Sequence, residues 1–302
     1  MSATIPATPP DGRALVAQAA TGLLDPLGRS LAAAVQWWAL PGLAGEWPVA
    51  VLGEGPPLLL LHGFDSSFLE FRRLVPHLAG QHHLLIPDLY GFGFSPRPAD
   101  GDYAPTGVLR HLEALLERLE SQNPGPVGLI GASMGGSVAV ELARRQPSRI
   151  AQLLLLAPAG LDGRPRPLPP VLDGLGVRLL SLPAVRRGLC RSAFADPEGA
   201  IGPAELEIAS LHLATPGWAD SLRRFARSGG FAGCGDPLPP QPLLALWGAQ
   251  DRILRPPQKR AALALLGERL REVEGCGHLP HLDRPALVAD TWRELCPTAL
   301  CR

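Results

Sequence analysis

The sequence predicts an α/β fold: a mostly parallel, twisted sheet flanked by helices and carrying a helical insertion. Three observations lead there. Short apolar runs at Leu58–Leu61, Leu84–Ile86, Val127–Ile130, Leu153–Leu156 and Leu243–Trp247 are bounded by Gly, Asp, His or Pro. Such continuous apolarity is what a strand buried on both faces requires. Segments with helical spacing, among them Val108–Leu119 and Gly136–Arg145, lie between these runs, the alternation expected of parallel strands joined by helical crossovers. From Leu161 to about Pro240 that alternation stops, leaving only Pro-punctuated stretches with helical spacing, such as Ala204–Leu213 and Asp220–Arg227.

Taken in order, residues 1–45 form an N-terminal helical segment, 46–160 and 241–302 the α/β core, and 161–240 a helical cap. Gly12–Leu40 is rich in Ala and Leu, is broken at Asp25-Pro26 and ends near Trp37-Trp38, so it reads as helical and is expected to pack on the body or the cap. Tryptophan favours the headgroup level of a bilayer, which leaves a peripheral membrane contact open, but the segment lacks the Lys/Arg-rich polar face such helices carry. The run LLALWG from Leu243 resumes the sheet, and a helix over Pro285–Leu295 closes the domain. No internal repeat is visible, and RPRPLPP at Arg164–Pro170 is too short to be more than linker.

The 302 residues are 46% hydrophobic, with 28 basic side chains balanced by 28 acidic ones, which describes a folded globular chain and excludes disorder as its main state. Charge balance offers no reason for nucleic acid or an anionic membrane to bind, so the composition points to small-molecule chemistry. The many Leu, Ala and Pro residues of 161–240 predict an apolar pocket and hence an apolar substrate, and no required protein partner is evident. Every basic residue but Lys259 is Arg, and with 34 Pro and 34 Gly this reads as codon bias. Cys190, Cys234, Cys276, Cys296 and Cys301 are odd in number and have no metal-ligand spacing, which suits a reducing compartment without structural metal. No run is long and apolar enough to span a membrane, and MSATIPATPPDGR lacks the basic start and apolar core of a signal peptide. A cytoplasmic protein beginning near Met1, with no cofactor, is the expectation.

The strand VGLIG runs through Gly131-Ala132-Ser133-Met134-Gly135 into a helix, a G-x-S-x-G whose weight comes from its strand-to-helix context. Small residues two before and two after the serine are needed because larger ones would collide with backbone in so sharp a bend. A serine hydroxyl is a poor nucleophile at neutral pH, so this reading demands a histidine within reach and an acid to orient it. Asp251 follows the strand LLALWG, and His278 follows the glycine turn Gly275-Cys276-Gly277. Backbone N–H groups of Met134, after the nucleophile, and of Phe64, on the loop after His62-Gly63, would receive the oxyanion.

HGFDSS at His62, PDLYGFGFS at Pro87, GASMGG at Gly131, WGAQD at Trp247 and GCGHLPHLDRP at Gly275 together resemble the α/β-hydrolase fold superfamily of serine hydrolases with a helical cap. The likeness extends from about Trp47 to the C-terminus. It implies Ser133 as nucleophile, His278 as base, Asp251 as acid, and Phe64 with Met134 as oxyanion donors. A serine at the nucleophile position argues against haloalkane dehalogenase or epoxide hydrolase chemistry, which uses Asp there. HGFDSSFLEFRRL with DLYGFGFS is also similar to hydrolases of photosynthetic organisms, including those that cleave the phytyl ester of chlorophyll pigments. Asp65-Ser66-Ser67 departs from the HGxGPG of carbon–carbon bond hydrolases, although those share the SMGG elbow. The expected activity is therefore carboxylic ester hydrolysis. Carbon–carbon hydrolysis by the same triad and a non-catalytic binding role on the same scaffold are the alternatives.

Each residue also has a plainer reading. Ser133 could be a small turn residue, Asp251 a helix-capping acid, and Asp162, after the strand LLLLAPAG, is the rival acid. His281 is expected to pack near the last helix, His62 to brace the oxyanion loop, and Asp88 and Ser95 to fix loop geometry. His82-His83 reads as one core and one surface residue, since neighbours on a strand face opposite ways. Cys276 is a site for thiol reagents rather than a nucleophile, having no histidine and acid of its own.

Overall fold

A computed structural model of the protein describes residues 11–122 and 124–295. Cys296 and Cys301, the chain start at Met1 and the first and last residues of the expected segments therefore lie outside the described residues. Among the described residues eight strands, β1 (Val35–Ala39), β2 (Glu46–Leu52), β3 (Pro57–Leu61), β4 (His83–Pro87), β5 (Val127–Ala132), β6 (Ile150–Leu156), β7 (Leu243–Gly248) and β8 (Leu270–Val273), make one sheet. Its order is β1-β2-β4-β3-β5-β6-β7-β8, antiparallel at β1-β2 and β2-β4 and parallel from β4 onward.

Side-chain alternation explains why the central strands are apolar throughout. Leu59, Leu61, Leu129, Leu153 and Leu155 enter one core cluster, while Leu58, Leu60, Ile130, Leu154 and Leu156 enter the other. Each strand thus feeds a core on either side of the sheet. The helices α4 (Pro105–Gln122) and α5 (Met134–Arg145) pack into the first cluster, while α13 (Pro285–Leu295) covers the second through Val288, Ala289 and Trp292.

The N-terminal segment differs from expectation in its last third. Helices α1 (Gly12–Gly22) and α2 (Pro26–Ala33) form, but Val35–Ala39 is strand β1, so Trp37 and Trp38 sit on the sheet edge. Val35, Trp37 and Trp38 pair with Ala50, Pro48 and Trp47 of β2 there, and that non-local pairing outweighs the Ala-rich helical pattern upstream. Asp11 caps α1 through Ala14 N–H, and Asp25 caps α2 through Leu27 and Gly28, with Pro26 at the first position. Leu15, Val16, Ala19, Leu23, Leu31 and Ala32 are buried, so most of the segment's apolar face is already used.

Between β6 and β7 the chain is helical: α6 (Pro170–Leu180), α7 (Pro183–Ala193), α8 (Pro197–Ala200), α9 (Pro203–Leu211) and α10 (Trp218–Ser228). The remaining helices are α3 (Val75–Leu78), α11 (Pro256–Leu266) and α12 (Pro280–Asp283). Arg72, almost fully buried, ties three regions together by donating to Asp25 (2.7 Å) at the head of α2 and to Glu205 (2.5 Å) on α9. No described helix is long and apolar enough to cross a membrane.

Candidate active site

Ser133 stands between β5 and α5 with φ 52° and ψ −118°, a conformation L residues avoid. The bend is held from both sides: Ser133 N–H donates to Leu156 O (2.8 Å), and Ala159 and Gly136 N–H donate to Ser133 O (3.0 and 2.9 Å). The flanking glycines are required by space. A Cβ on Gly131 would lie 2.3 Å from Gly135 O, and one on Gly135 would lie 2.1 Å from Leu61 O. The loop after β3 passes directly over the serine, since a Cβ on Gly63 would sit 3.3 Å from Ser133 Cβ.

The loops after β7 and β8 are stitched together. Gln250 N–H donates to Cys276 O (2.9 Å), and Cys276 N–H donates back to Gln250 Oε1 (2.9 Å). Gly248 and Gly277 permit this, because a Cβ on Gly248 would fall 1.9 Å from Gly277 O. The result places His278 Nδ1 2.9 Å from Asp251 Oδ2. The other carboxylate oxygen accepts from Ile253 (2.8 Å) and Leu254 (3.1 Å) N–H, so the acid cannot rotate freely. Burial would raise the Asp251 pKa, but the His278 hydrogen bond and charge and the two N–H donors outweigh it and hold the carboxyl below its ordinary value. Asp162, the rival acid, lies at the entrance to the helical region, and its backbone carbonyl accepts from Gly233. Among the described residues, Asp251 is the carboxylate on His278.

Ser133 and His278 line a cavity of about 410 Å³ with Gly63 and Phe64. Its walls are mainly apolar, with Leu180, Leu189 and Ala193 from α6 and α7 and Ile253 and Leu279 from the core loops. A further pocket of about 80 Å³ adjoins it and shares Ser66, Glu70 and Cys190 in its lining. Met134 opens α5, where the first N–H groups have no intrahelical acceptor. Phe64 places its ring against Phe92 and Phe225 at 5.8 and 5.9 Å between centroids, leaving its backbone on the loop above the serine. A larger hollow of about 600 Å³ beside α4 has a lining of Arg110, Glu113, Glu117, Glu120 and Arg149 and holds no nucleophile with a base.

Sequence reasoning missed a buried polar hub on the same loop. Asp65, at φ 51°, accepts from Arg186 Nη1 (2.5 Å) on α7 and from Trp218 Nε1 (2.8 Å) on α10, and lies 3.1 Å from His212 Nε2. Burial opposes ionisation of Asp65, but His212, Arg186 and Trp218 together keep its carboxyl below the ordinary range. These partners are 121 to 153 residues away in sequence, so no local motif could announce them. The acidic residue after Phe64 was the only signal.

His281 is buried in α12, just before the start of the last helix, and its Nε2 lies 3.0 Å from Glu70 Oε1. Glu70 is buried, which raises its pKa, yet His281, His62 and the Ser66 hydroxyl bring it down to about 2. His62 braces the loop as expected: its Nδ1 is 2.8 Å from Gly63 O, and its Nε2 accepts from Leu89 N–H (3.0 Å). Asp88 accepts from Phe68 and Phe94 N–H at 2.7 and 2.6 Å, and Ser95 Oγ donates to Asp88 O at 3.1 Å, which fixes the loop after β4. Of the histidine pair, His82 is in the core, accepting from Trp292 Nε1 (3.1 Å), while His83 is only partly buried. Cys276 is fully buried, and burial pushes its thiol up to about 12, so thiol reagents have poor access to it.

Residues 58–291 match the sequence profile described as "Alpha/beta hydrolase family". A 2-hydroxymuconate semialdehyde hydrolase of Pseudomonas sp. (strain CF600) is 28% identical over 258 residues, covering 78% of this chain and 85% of that one. The alpha/beta hydrolase domain-containing protein VTE7 of the plant Arabidopsis thaliana is 29% identical over 280 residues, covering 86% and 83%. Lipase 3 of Moraxella sp. (strain TA144) is 40% identical over a shorter stretch of 106 residues, covering 35% and 33%. Among solved structures, the epoxide hydrolase CorEH superposes with a TM-score of 0.72 at 23% identity, covering 86% of this chain and 97% of that one. At that identity the likeness describes the fold and leaves the chemistry to the residues.

Proposed function

The chain belongs to the alpha/beta hydrolase family, and from that premise we propose that it is a cofactor-independent serine hydrolase cleaving a carboxylic ester with an apolar acyl or alcohol part. The observation that carries this reading is the 2.9 Å contact of Asp251 with His278 Nδ1, on the same cavity as a serine held at φ 52°. With Nδ1 engaged, Nε2 is the nitrogen left to accept the Ser133 proton as Oγ adds to the ester carbonyl. Phe64 and Met134 N–H receive the oxyanion. The tetrahedral intermediate collapses by expelling the alcohol, which takes its proton from His278 and leaves an acyl-Ser133. Water, deprotonated by His278, attacks the acyl carbon, and the acid departs as Ser133 regains its proton.

The apolar walls support an apolar substrate, and the charged groups on the cavity support an uncharged one. Arg186 is already committed to Asp65 and Ala209 O, while Glu70 adds a second carboxylate to the lining. An anionic substrate would meet no unpaired arginine or lysine there among the described residues. Carbon–carbon bond hydrolysis by the same triad is the second reading, favoured by the 28% identity with a semialdehyde hydrolase.

A series of p-nitrophenyl esters from short to long acyl chains, run on the wild type and Ser133→Ala, tests the proposal. Turnover rising with chain length and lost by about 10⁴-fold in the variant is expected, with a fluorophosphonate label found on Ser133. A Ser133→Ala protein with wild-type rates overturns the mechanism. Labelling without ester turnover, together with cleavage of a ring-fission diketone, replaces the ester by the second reading.

A further inference from the structure

Helix α6 is built the wrong way round for a surface helix. Val171, Leu172, Leu175 and Leu179 fall within an arc of about 100° at 3.6 residues per turn, and that arc faces solvent, with Val171 81% and Leu175 53% exposed. The opposite side is the packed one: Asp173 and Val177 are buried, and Asp173 is bonded to Arg227 of α10. Leu168 before the helix and Leu182 after it extend the exposed stripe, and Leu189 of α7 continues it to the rim of the cavity, which it lines. So long an exposed apolar stripe marks a contact surface.

The charge around it selects the partner. Between Asp162 and Asp196 the chain carries six arginines and a single acid, the buried Asp173. Arg186 is buried on Asp65 and Arg191 is paired with Glu198. Arg164, Arg166, Arg178 and Arg187 are exposed and have no ion-pair partner among the described residues. An apolar stripe bordered by unpaired arginines is complementary to a surface with an anionic headgroup layer over a hydrocarbon interior.

We propose that the α6–α7 face is a docking surface for an anionic phospholipid bilayer. Leu175 and its neighbours enter the acyl boundary, and the arginines meet the lipid phosphates. The cavity wall formed by Leu180 and Leu189 then lies on the membrane side of the protein. The inference does not rest on the hydrolase reading, because vesicle binding is its readout and melting temperature is its folding control.

The test is cosedimentation of the full chain with phosphatidylcholine vesicles, with and without phosphatidylglycerol, at low and high salt. Binding to the anionic vesicles is expected to exceed binding to the neutral ones and to fall with salt. Val171→Ser with Leu175→Ser and Leu179→Ser should weaken binding by about tenfold or more, and each of Arg164→Gln, Arg166→Gln and Arg178→Gln by about fivefold. Melting temperatures should stay at the wild-type value. Equal binding to both vesicle types, or wild-type binding by the serine triple variant, overturns the proposal. So does loss of binding in Leu24→Ser, an exposed position of the N-terminal segment, without loss in the α6 variants. A dimer that the triple variant dissociates, in a protein that ignores vesicles, makes the face a self-association surface and overturns it equally.

Discussion

At Ser133 the backbone conformation costs on the order of 1–3 kcal/mol, and the structure holds it there with hydrogen bonds to Leu156 and from Ala159 and Gly136. Those bonds involve no side-chain atom of Ser133, so Ser133→Ala should fold normally while losing turnover. Asp251→Asn should preserve the fold as well, but it presents an amide where His278 needs an acceptor. A drop in kcat of about 10³–10⁴-fold with little change in KM is expected from steady-state kinetics. Asp65 acts through its neighbours rather than on substrate. Asp65→Asn leaves the buried Arg186 without its counter-charge, which should lower stability by about 2–4 kcal/mol in a denaturant titration. Because Asp65 follows Phe64 on the oxyanion loop, kcat should fall more than KM rises. An unchanged kcat with reduced stability would show that the hub serves cap packing alone.

Among the elements, α2 and α9 are joined through Arg72, which lies between Asp25 and Glu205. Replacing one partner of a buried ion network strands the others, so Arg72→Ala should destabilise the protein by about 3–5 kcal/mol. The loosening should appear in hydrogen exchange at both α2 and α9, whereas confinement to the loop around residue 72 would contradict the network reading. The site itself depends on how closely elements approach. The G-x-S-x-G of β5 and α5 was legible because its two glycines are demanded by local geometry. The order Ser133, Asp251, His278 was legible because loops at the C-terminal ends of parallel strands converge on one edge of the sheet. Strand β1 was not legible, because its stability comes from pairing with β2 and no helix-breaking residue separates it from α2.

For the molecule as a whole, buried histidines shape the response to acid. Burial lowers the His62 pKa to about 4 and the His111 pKa to about 3, against an ordinary 6.5. The unfolded chain therefore binds protons below 6.5 that the folded chain refuses, and stability falls as the pH drops from there towards 4 and 3. Asp88, pushed up to about 7 by burial, acts in the opposite sense, so the histidine contribution is best read as a difference between variants. Neither ring nitrogen of His111 has a hydrogen-bond partner among the described residues, and its ring lies 4.8 Å from that of Trp47. His111→Leu should be at least as stable as wild type near neutrality, with an advantage growing by about 1.4 kcal/mol per pH unit below about pH 6.5. Parallel stability curves for the two proteins would show that His111 is protonated in place.

Whole-chain charge shows a different limit of sequence reading. A balance of 28 against 28 gave no hint of anionic surfaces, yet Arg164, Arg166, Arg178 and Arg187, exposed and without an ion-pair partner among the described residues, all fall in the stretch of chain that carries one exposed apolar helix. Neutralisation elsewhere hides such a patch from any sum over the chain. By itself, the sequence determined the mostly parallel sheet, the helical region between β6 and β7, and the candidate nucleophile, base and acid, because periodicity, glycine geometry and chain order are local properties. Tertiary structure alone decided the Asp65 hub, the Glu70–His281 pair, the strand at the N-terminal edge and the outward-facing leucines of α6. Each of these depends on which distant residues fold against one another, and desolvation and charge pairing act across space without leaving a spacing in the chain.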